Sequence, residues 1–262
     1  MSSPGTGPPS TPRAVARSAR AAWEAARFRT WTAALDLALR RRGGRLELDA
    51  PHGLTFDSFP RVTALMVGEG DATFRLRVGR RVRLGRDVRL ELWALGTNVL
   101  DLDDDSYLLD GVRVLLRSGA VTVGARTGVR DYSVLKSEGR LTIGADSQVS
   151  YHSTIHCRRE VSLDDRVIMA ERVTIVDSEK DRDGSDAPTV DGPLRIEPVA
   201  LGRNVFVAAG AVIGHGSRVG RNSTVAANAV LTGGDYPPGW VIAGAPASAV
   251  KELGAETQGP SP

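Results

Sequence analysis

The sequence contains four histidines, the side chain that most readily exchanges a proton near neutral pH. They are His52, His152, His156 and His215. His152 and His156 lie four residues apart and are our candidates for acid–base catalysis, with a structural or surface role as the alternative. The intervals between the histidines do not match a zinc site built from three converging imidazoles, so we predict no metal site.

A second set of polar residues is defined by its position in a regular repeat. Each member lies two residues after an aliphatic residue of a regular repeat; the members are Ser137, Cys157, Asp177 and His215. Residues at one repeat position stack in a column when the repeats pack on one another. Two interpretations follow: a Cys–His–Asp nucleophile set, in which Asp177 is catalytic, or corner residues that face solvent.

The repeat that carries these residues has a period of six. Aliphatic residues occupy every sixth position in the rows Val123-Val129-Leu135, Ile143-Val149-Ile155, Leu163-Met169-Ile175 and Leu201-Val207-Ile213-Val219-Val225-Leu231. Hexapeptide repeats predict a parallel β-helix, in which each unit is one short strand and one turn and three units close a coil. The coils stack about 4.8 Å apart through parallel hydrogen bonds. A β-sandwich is the alternative, but alternating strands do not keep a six-residue frame.

The spacing between rows predicts how long each coil is. The rows that begin at 123, 143 and 163 recur every twenty residues, which indicates 18-residue coils with two extra residues at one corner. Upstream, we expect looser coils with Leu84 and Leu90 in one row and Leu109 and Leu115 in the next.

The region before the repeats has a different composition. Residues 1–12 are rich in Pro, Gly and Ser and are predicted to be disordered. A helix follows, with Thr11 as its cap, Pro12 in its first turn and Gly43-Gly44 after its end. Its apolar residues form one broad face: Trp23, Phe28, Trp31, Leu35 and Leu39. We expect this face to cover the open end of the next domain, and weak contact with a membrane surface is the alternative.

The predicted organisation therefore has four parts. Residues 1–12 and 254–262 are disordered ends, 13–75 form the helix and a capping segment, and 76–253 form the β-helix with a loop at 176–200. The fold class is all-β: a left-handed parallel β-helix with an N-terminal helix and a short C-terminal helix.

The bulk composition narrows the classes of function. The net charge of +3 is small, and basic residues cluster only near the N-terminus, so nucleic-acid binding is not predicted. The single cysteine excludes an intrachain disulfide and fits a reducing compartment. Charges interrupt the longest apolar stretches, so we predict no transmembrane segment and a cytoplasmic location.

Three stretches resemble the hexapeptide-repeat acetyltransferases, a family that includes the galactoside, maltose and lipopolysaccharide O-acetyltransferases. They are VSLDDRVIMAERVTIVDSEKD (161–181), PVALGRNVFVAAGAVIGHGSRVG (198–220) and STVAANAVLTGGDYPPGWVIAGAPASAVKEL (223–253). The last stretch resembles the Pro-Pro, Ala-Gly-x-Pro-Ala and short helix with which the family's domain ends.

The resemblance implies a homotrimer that binds acetyl-CoA or another acyl-CoA between neighbouring prisms. Ala209 and Ala227 would line the pantetheine arm, and Thr232 and Lys251 would lie near the nucleotide end. The loop 176–200 would form part of the pocket for a small-molecule or glycan acceptor.

The sequence departs from the family at the general base. Lys180 stands where the family has a histidine, and an unperturbed lysine with a pKa of about 10.4 is protonated near neutral pH. Either the pKa of Lys180 is depressed, by burial or by a cation such as Arg158, or a protonated Lys180 orients the acceptor while His152 or His156 is the base. Two other interpretations are that the acceptor is already a good nucleophile and needs little help from a base, or that Lys180 is simply a solvated lysine of the loop. Further departures are Ser150, Arg158, Phe206, Gly233 and Ser248.

Two functions remain open from the sequence. The first is acyl transfer from CoA to a hydroxyl or amine of a sugar or small metabolite. The second is a non-catalytic β-helix scaffold, or a partner subunit, that has lost the catalytic histidine.

Overall fold

Helix α1 (Pro12–Arg40) precedes the strands and packs against the first of them. The computed structural model describes residues 12–65, 72–93, 96–186 and 188–254. The predicted disordered ends, 1–12 and 254–262, lie almost wholly outside the described residues. The helix ends as predicted before Gly43, whose φ of 76° suits a left-handed cap and whose N–H bonds the carbonyl of Arg40 at 3.1 Å.

The apolar face of α1 covers the first coil, as the sequence predicts. Phe28, Trp31, Leu35 and Leu39 are buried in the core of the coil stack, and Trp23 alone of the predicted face is exposed. Within the described residues, no helix is both long and apolar enough to cross a membrane.

The strands follow in coils of three. The first three coils contain β1 (Gly44–Asp49), β2 (Thr55–Phe56), β3 (Arg61–Leu65), β4 (Ala72–Val78), β5 (Arg83–Leu84), β6 (Arg89–Trp93), β7 (Gly96–Leu102), β8 (Tyr107–Leu108) and β9 (Arg113–Arg117). The next three contain β10 (Ala120–Val123), β11 (Gly128–Val129), β12 (Val134–Ser137), β13 (Arg140–Ile143), β14 (Gln148–Val149), β15 (Thr154–Cys157), β16 (Glu160–Leu163), β17 (Ile168–Met169) and β18 (Thr174–Val176).

A hairpin, two further coils and a closing segment complete the described part of the chain. The hairpin is β19 (Ser178–Lys180) with β20 (Leu194–Ile196), and the rest is β21 (Val199–Leu201), β22 (Phe206–Val207), β23 (Val212–Ile213), β24 (Ser217–Val219), β25 (Thr224–Val225), β26 (Val230–Leu231), β27 (Gly234–Tyr236), β28 (Trp240–Gly244) and β29 (Ala247–Glu252).

Successive strands of each coil enter three different sheets. Sheet A begins with β1, sheet B with β2 and sheet C with β3, and among the described residues these sheets contain nine, ten and eight strands. The coil pairings are parallel, which confirms the predicted left-handed parallel β-helix. The coil stack begins at Gly44 rather than at residue 76, because β1 already pairs in parallel with β4.

The aliphatic rows fill the interior of the prism. In sheet C, for example, Leu135, Ile155 and Ile175 pair in register and are fully buried. The other predicted rows from Val123 to Leu231 are buried in the same way.

One early row is shifted from its predicted position. Leu84 and Leu90 are buried as expected, but the next coil buries Leu108 and Val114 instead of Leu109 and Leu115. Since strand side chains alternate between faces, a one-residue error in frame turns the predicted residues outward.

The C-terminal helix was a wrong expectation. Residues Ala247–Glu252 form β29, which pairs antiparallel with β28 and places Lys251 opposite Val241. Strand β28 lies at the end of the stack, where its outer edge would leave backbone groups unpaired. The returning strand satisfies these groups, and this pairing outweighs the helical preference of a short segment.

Candidate functional site

The corner between sheet C and sheet A, which we call the C–A corner, carries the extra residues of the twenty-residue coils. Residues 138–139 and 158–159 lie there, between the strand of sheet C and the next strand of sheet A. Ser137 pairs with Cys157 in register, and Asp177 follows one coil later at the same position. All three side chains are buried, so the alternative of corner residues facing solvent is wrong.

The Asp177 carboxylate is held by the backbone of this corner. Oδ1 accepts the N–H of Arg158 at 2.7 Å, and Oδ2 accepts the N–H groups of Arg159 at 2.7 Å and Glu160 at 3.0 Å. The Asp177 carbonyl also accepts the N–H of Glu197 where the chain returns from the loop, at 3.0 Å. These bonds occupy the carboxylate, so Asp177 fixes the corner and the base of the loop.

Cys157 lies beside this carboxylate as an inert thiol. Burial, and then the charge of Asp177, raise the pKa of Cys157 to about 11. A thiol with this pKa is protonated near neutral pH and is a poor nucleophile. The geometry therefore does not support the Cys–His–Asp nucleophile set.

The predicted loop leaves the stack after Val176 and returns at Val199. Its base is an antiparallel hairpin in which Lys180 is opposite Leu194. The Lys180 ammonium donates to the carbonyl oxygens of Val190 and Gly192, both at 2.8 Å. Lys180 thus ties β19 to the returning arm of the loop.

His215 lies at the base of this loop between two glutamates. Its Nε2 is 3.0 Å from Oε2 of Glu179 on β19, and its Nδ1 is 3.7 Å from Oε2 of Glu197. The imidazole is buried, whereas the Glu179 side chain is 71% exposed. Nδ1 has no hydrogen-bond partner among the described residues. Sequence reasoning placed His215 in the polar column but did not identify its two glutamates, Glu179 on β19 and Glu197 immediately after β20.

Gly216 leaves the room that Glu197 needs. Its φ is 72°, and a Cβ atom at this position would lie 2.3 Å from Oε2 of Glu197. Arg195, and then His215, hold the pKa of Glu197 below its ordinary value. Glu197 is therefore a carboxylate near neutral pH and places a negative charge beside the imidazole.

His156 lies on the outer face of sheet C, one coil before the loop. It pairs in register with Lys136 and with Val176. Burial, and then the charge of Lys136, lower the pKa of His156. The imidazole is therefore neutral near neutral pH, and its buried Nε2 has no hydrogen-bond partner among the described residues.

His152 lies before the start of β15, the strand that carries His156. It occupies the corner between sheets B and C with a φ of 55°, and its exposed ring stacks on Tyr132 at a centroid distance of 5.3 Å. The structure therefore does not bring together the two histidines that the sequence suggested: His156 lies on β15 toward the loop, and His152 lies at the corner before this strand.

The four residues expected near the cofactor occupy three places. Ala209 and Ala227 lie on successive coils at the corner between sheets B and C, where the N–H of Asn228 bonds the carbonyl of Ala209 at 3.0 Å. Thr232 follows β26 at the C–A corner, and Lys251 lies on β29. No group of His, Cys, Asp or Glu within the described part of the chain is arranged to hold a metal ion.

A comparison with protein families supports the hexapeptide repeat that the sequence predicts. Residues 198–233 match the family model described as bacterial transferase hexapeptide (six repeats). No curated protein matches the chain significantly.

Several solved structures are similar to this chain. A maltose O-acetyltransferase from Clostridium difficile 630 has 18% identity and a TM-score of 0.39, over 67% of this chain and 68% of its own. An N-acyltransferase from Bacillus cereus, in complex with dTDP-4-amino-4,6-dideoxyglucose and coenzyme A, has 16% identity and a TM-score of 0.42, over 67% and 83%. A hexapeptide-repeat acetyltransferase from Vibrio cholerae, with acetyl coenzyme A, has 18% identity and a TM-score of 0.40, over 55% and 72%.

The family match covers the two coils that follow the loop, including His215 and the row of Ala209 and Ala227. The predicted resemblance is thereby confirmed, and residues 198–233 carry the hexapeptide repeat of the bacterial transferases.

Proposed function

We propose that the protein is an acyl-CoA-dependent acyltransferase that modifies a hydroxyl or amine of a sugar or another small metabolite, and that it acts as a homotrimer. The observation that carries this proposal is the match of residues 198–233 to the bacterial transferase hexapeptide family. These coils follow directly on the loop hairpin, as expected from the resemblance of 161–181 and 198–220 to the acetyltransferases.

His215 is the group best placed to take the proton of the acceptor. In this structure the Nε2–H donates to the exposed carboxylate of Glu179, because an ionised carboxylate can only accept. When an acceptor hydroxyl or amine displaces Glu179, the tautomer with the proton on Nδ1 points that N–H toward Glu197 and leaves a lone pair on Nε2. A carboxylate behind a histidine orients the ring and stabilises the imidazolium that forms.

The acceptor oxygen or nitrogen attacks the thioester carbonyl carbon, and its proton passes to Nε2 of His215. The C–S bond breaks as the tetrahedral intermediate collapses, and the imidazolium returns the proton to the CoA thiolate. The products are the acylated acceptor and free CoA.

The other predicted catalytic residues take different parts in this proposal. Lys180 holds the loop through Val190 and Gly192, and Asp177 holds the C–A corner. His156 lies on the outer face of sheet C beside the loop, and His152 lies at the corner between sheets B and C.

Small side chains define the proposed path of the cofactor. Ala209 and Ala227 stack at one corner, where the absence of bulk lets the pantetheine arm approach the backbone. Thr232 and the exposed Lys251 follow toward the end of the stack, where the ammonium can meet the nucleotide phosphates.

One observation favours the scaffold alternative. Lys180 replaces the expected loop histidine, and its ammonium is engaged by two carbonyl oxygens of the loop. In a scaffold that no longer catalyses, a loop fastened in this way would serve as a fixed surface feature.

Binding of CoA separates the two functions. Calorimetry on the full chain should show binding of CoA and acetyl-CoA, and Ala227→Trp should abolish it by blocking backbone approach. Thr142→Trp, on the outer face of sheet A, is the matched control and should bind normally. Absence of CoA binding to the unaltered protein would refute the acyltransferase.

An activity assay then tests the base. Release of CoA, measured with a panel of sugar and amine acceptors, should fall by about 10²–10⁴ in kcat in His215→Asn. His52→Asn is the control and should retain activity, because His52 lies between β1 and β2 in the first coil of the stack. Equal activity in both variants would remove His215 from the mechanism.

A further inference from the structure

A mixed cluster of charges lies on the outer end of sheet C, immediately before the loop. Glu138 is at its centre, 3.0 Å from Nζ of Lys136, 3.2 Å from Nη2 of Arg158 and 3.7 Å from Nη1 of Arg117. Arg117 also stacks on Trp93, with Cζ 4.1 Å from the ring centroid. We call these five residues the C-face cluster.

The C-face cluster carries more positive charge than its carboxylate can neutralise. Three cations share Glu138, so three positive charges against one negative charge leave a surplus of two. Elsewhere, no carboxylate of the described residues pairs with more than two arginines: Asp104 pairs with Arg80 alone, and Asp87 pairs with Arg61 and Arg89. The buried carboxylate of Asp177 reduces the surplus, but it is bound to backbone N–H groups and does not remove it.

These charges are also more buried than those of the paired arginines. The side chains of Lys136 and Arg158 are 23% and 37% exposed, against 58% for Arg126. Unneutralised charge that is partly removed from water is costly unless a counter-charge binds to it. The cluster is thus built to receive an anion.

Three buried polar atoms of this surface have no hydrogen bond among the described residues: Nε2 of His156, Nε1 of Trp93 and Oε1 of Glu138. The last still has an ion-pair partner, since Nζ of Lys136 lies 3.0 Å away. His156 Nε2 is 3.8 Å from Oε1 of Glu138, too far for a hydrogen bond. A ligand with hydroxyl or anionic oxygens would satisfy the two nitrogen atoms.

The position of the cluster connects it to the loop. Glu138 and Arg158 are each one residue beyond the column Ser137, Cys157 and Asp177, and the next residue along that line is Ser178, where β19 begins. An anion bound to Arg158 therefore lies at the foot of the hairpin that carries Glu179, the partner of His215.

We propose that Arg117, Lys136 and Arg158 bind the phosphate group of a phosphorylated acceptor. Two guanidinium groups and an ammonium suit a phosphate dianion, because Arg provides paired N–H donors and Lys a mobile charge. The role of the ligand as acceptor rests on the proposed acyl transfer, whereas phosphate binding rests on the cluster itself. The phosphates of CoA are a second source of the same chemistry.

Calorimetry on the full chain tests this proposal with glucose 1-phosphate, glucose, inorganic phosphate and CoA as probes. Glucose 1-phosphate and inorganic phosphate should bind, and glucose should not. Arg158→Gln should weaken phosphate binding about tenfold or more, the effect of losing one charge-assisted contact. Arg140→Gln, on the outer face of sheet A, is the matched control and should bind normally.

A second measurement follows His156. Sulfate remains a dianion between about pH 5 and 8, so its binding reports only the protein groups. A bound dianion should raise the pKa of His156, measured from the ring resonances by NMR, and sulfate should bind more tightly as the pH falls. His156→Gln should remove this pH dependence. An unchanged His156 titration at saturating sulfate would overturn the assignment.

The outcomes separate this inference from the proposed function. If CoA binds but neither phosphate probe does, the C-face cluster is not an anion site and the acyltransferase stands. If the phosphate probes bind and CoA does not, the anion site stands and the acyltransferase fails. If CoA competes with glucose 1-phosphate for Arg158, the site belongs to the phosphates of CoA and the acceptor assignment is overturned.

Discussion

The carboxylate of Asp177 accepts a hydrogen bond from the backbone N–H of Arg158, with 2.7 Å between the nitrogen and Oδ1. The side chain of one coil thereby closes the corner at which the preceding coil ends. The same carboxylate takes two further N–H groups, so one buried acidic residue organises the corner, the C-face cluster and the base of the loop.

Removal of this carboxylate should destabilise the stack. Asp177→Ala removes a buried carboxylate and leaves three partly buried N–H groups without an acceptor. We expect a loss of about 3–5 kcal/mol in the free energy of unfolding, measured with urea. Asp165→Ala is the matched control, since the exposed Asp165 accepts a single N–H, from Ala145 at 2.8 Å. Similar losses in both variants would show that the buried corner is no special source of stability.

Replacement of Lys180 should loosen the loop and leave the stack intact. In Lys180→Gln the carbonyl oxygens of Val190 and Gly192 lose a charged donor, so hydrogen exchange should accelerate at residues 188–193 while the melting temperature is unchanged. Lys180→Arg should preserve most of the protection. Loss of CoA release in Lys180→Gln with unaltered exchange would instead make Lys180 catalytic, and activity appearing only in Lys180→His would favour the scaffold.

The buried thiol of Cys157 should make stability depend on pH in alkaline solution. Its pKa is raised from 9.0 to about 11 in the folded protein, so its contribution is fully present below pH 9 and is lost as the pH rises toward 11. Unfolding curves of the wild type and Cys157→Ala should therefore converge or cross over this interval. Parallel pH profiles would contradict the burial of the thiol.

The proposed homotrimer should bury an apolar pair on the outside of sheet B. Ile168 and Phe206 lie in register on adjacent coils and are 46% and 42% exposed in the single chain. Phe206→Asp should convert the trimer to a monomer in light scattering at micromolar concentration, and Thr142→Asp on sheet A should not. A wild-type protein that is already monomeric would refute the assembly and the cofactor groove between subunits.

The sequence alone determined the architecture of the coil stack. An aliphatic residue at every sixth position can be buried throughout only if three short strands close each coil, so Leu135, Ile155 and Ile175 specify their own register. The sequence also located helix α1, because Pro12 favours the first turn of a helix and Gly43 favours its end, and both preferences act locally.

Local preference failed where a distant edge decided the outcome. Residues 247–252 form a strand because β28 would otherwise leave backbone groups unpaired at the end of the stack. The sequence of the segment itself gives no indication of this edge. The row at Leu108 and Val114 was misplaced because alternation of side chains gives two frames that differ by one residue.

The candidate site depended on tertiary structure almost entirely. The sequence identified the column that holds Asp177 and His215, since column membership follows from the repeat. It did not determine which way the column faces, that Lys180 bonds loop carbonyl oxygens, or that Glu179 and Glu197 flank His215. Those contacts join residues between 10 and 36 positions apart across a loop without repeats. The path of such a loop is decided only when it packs against the finished coils.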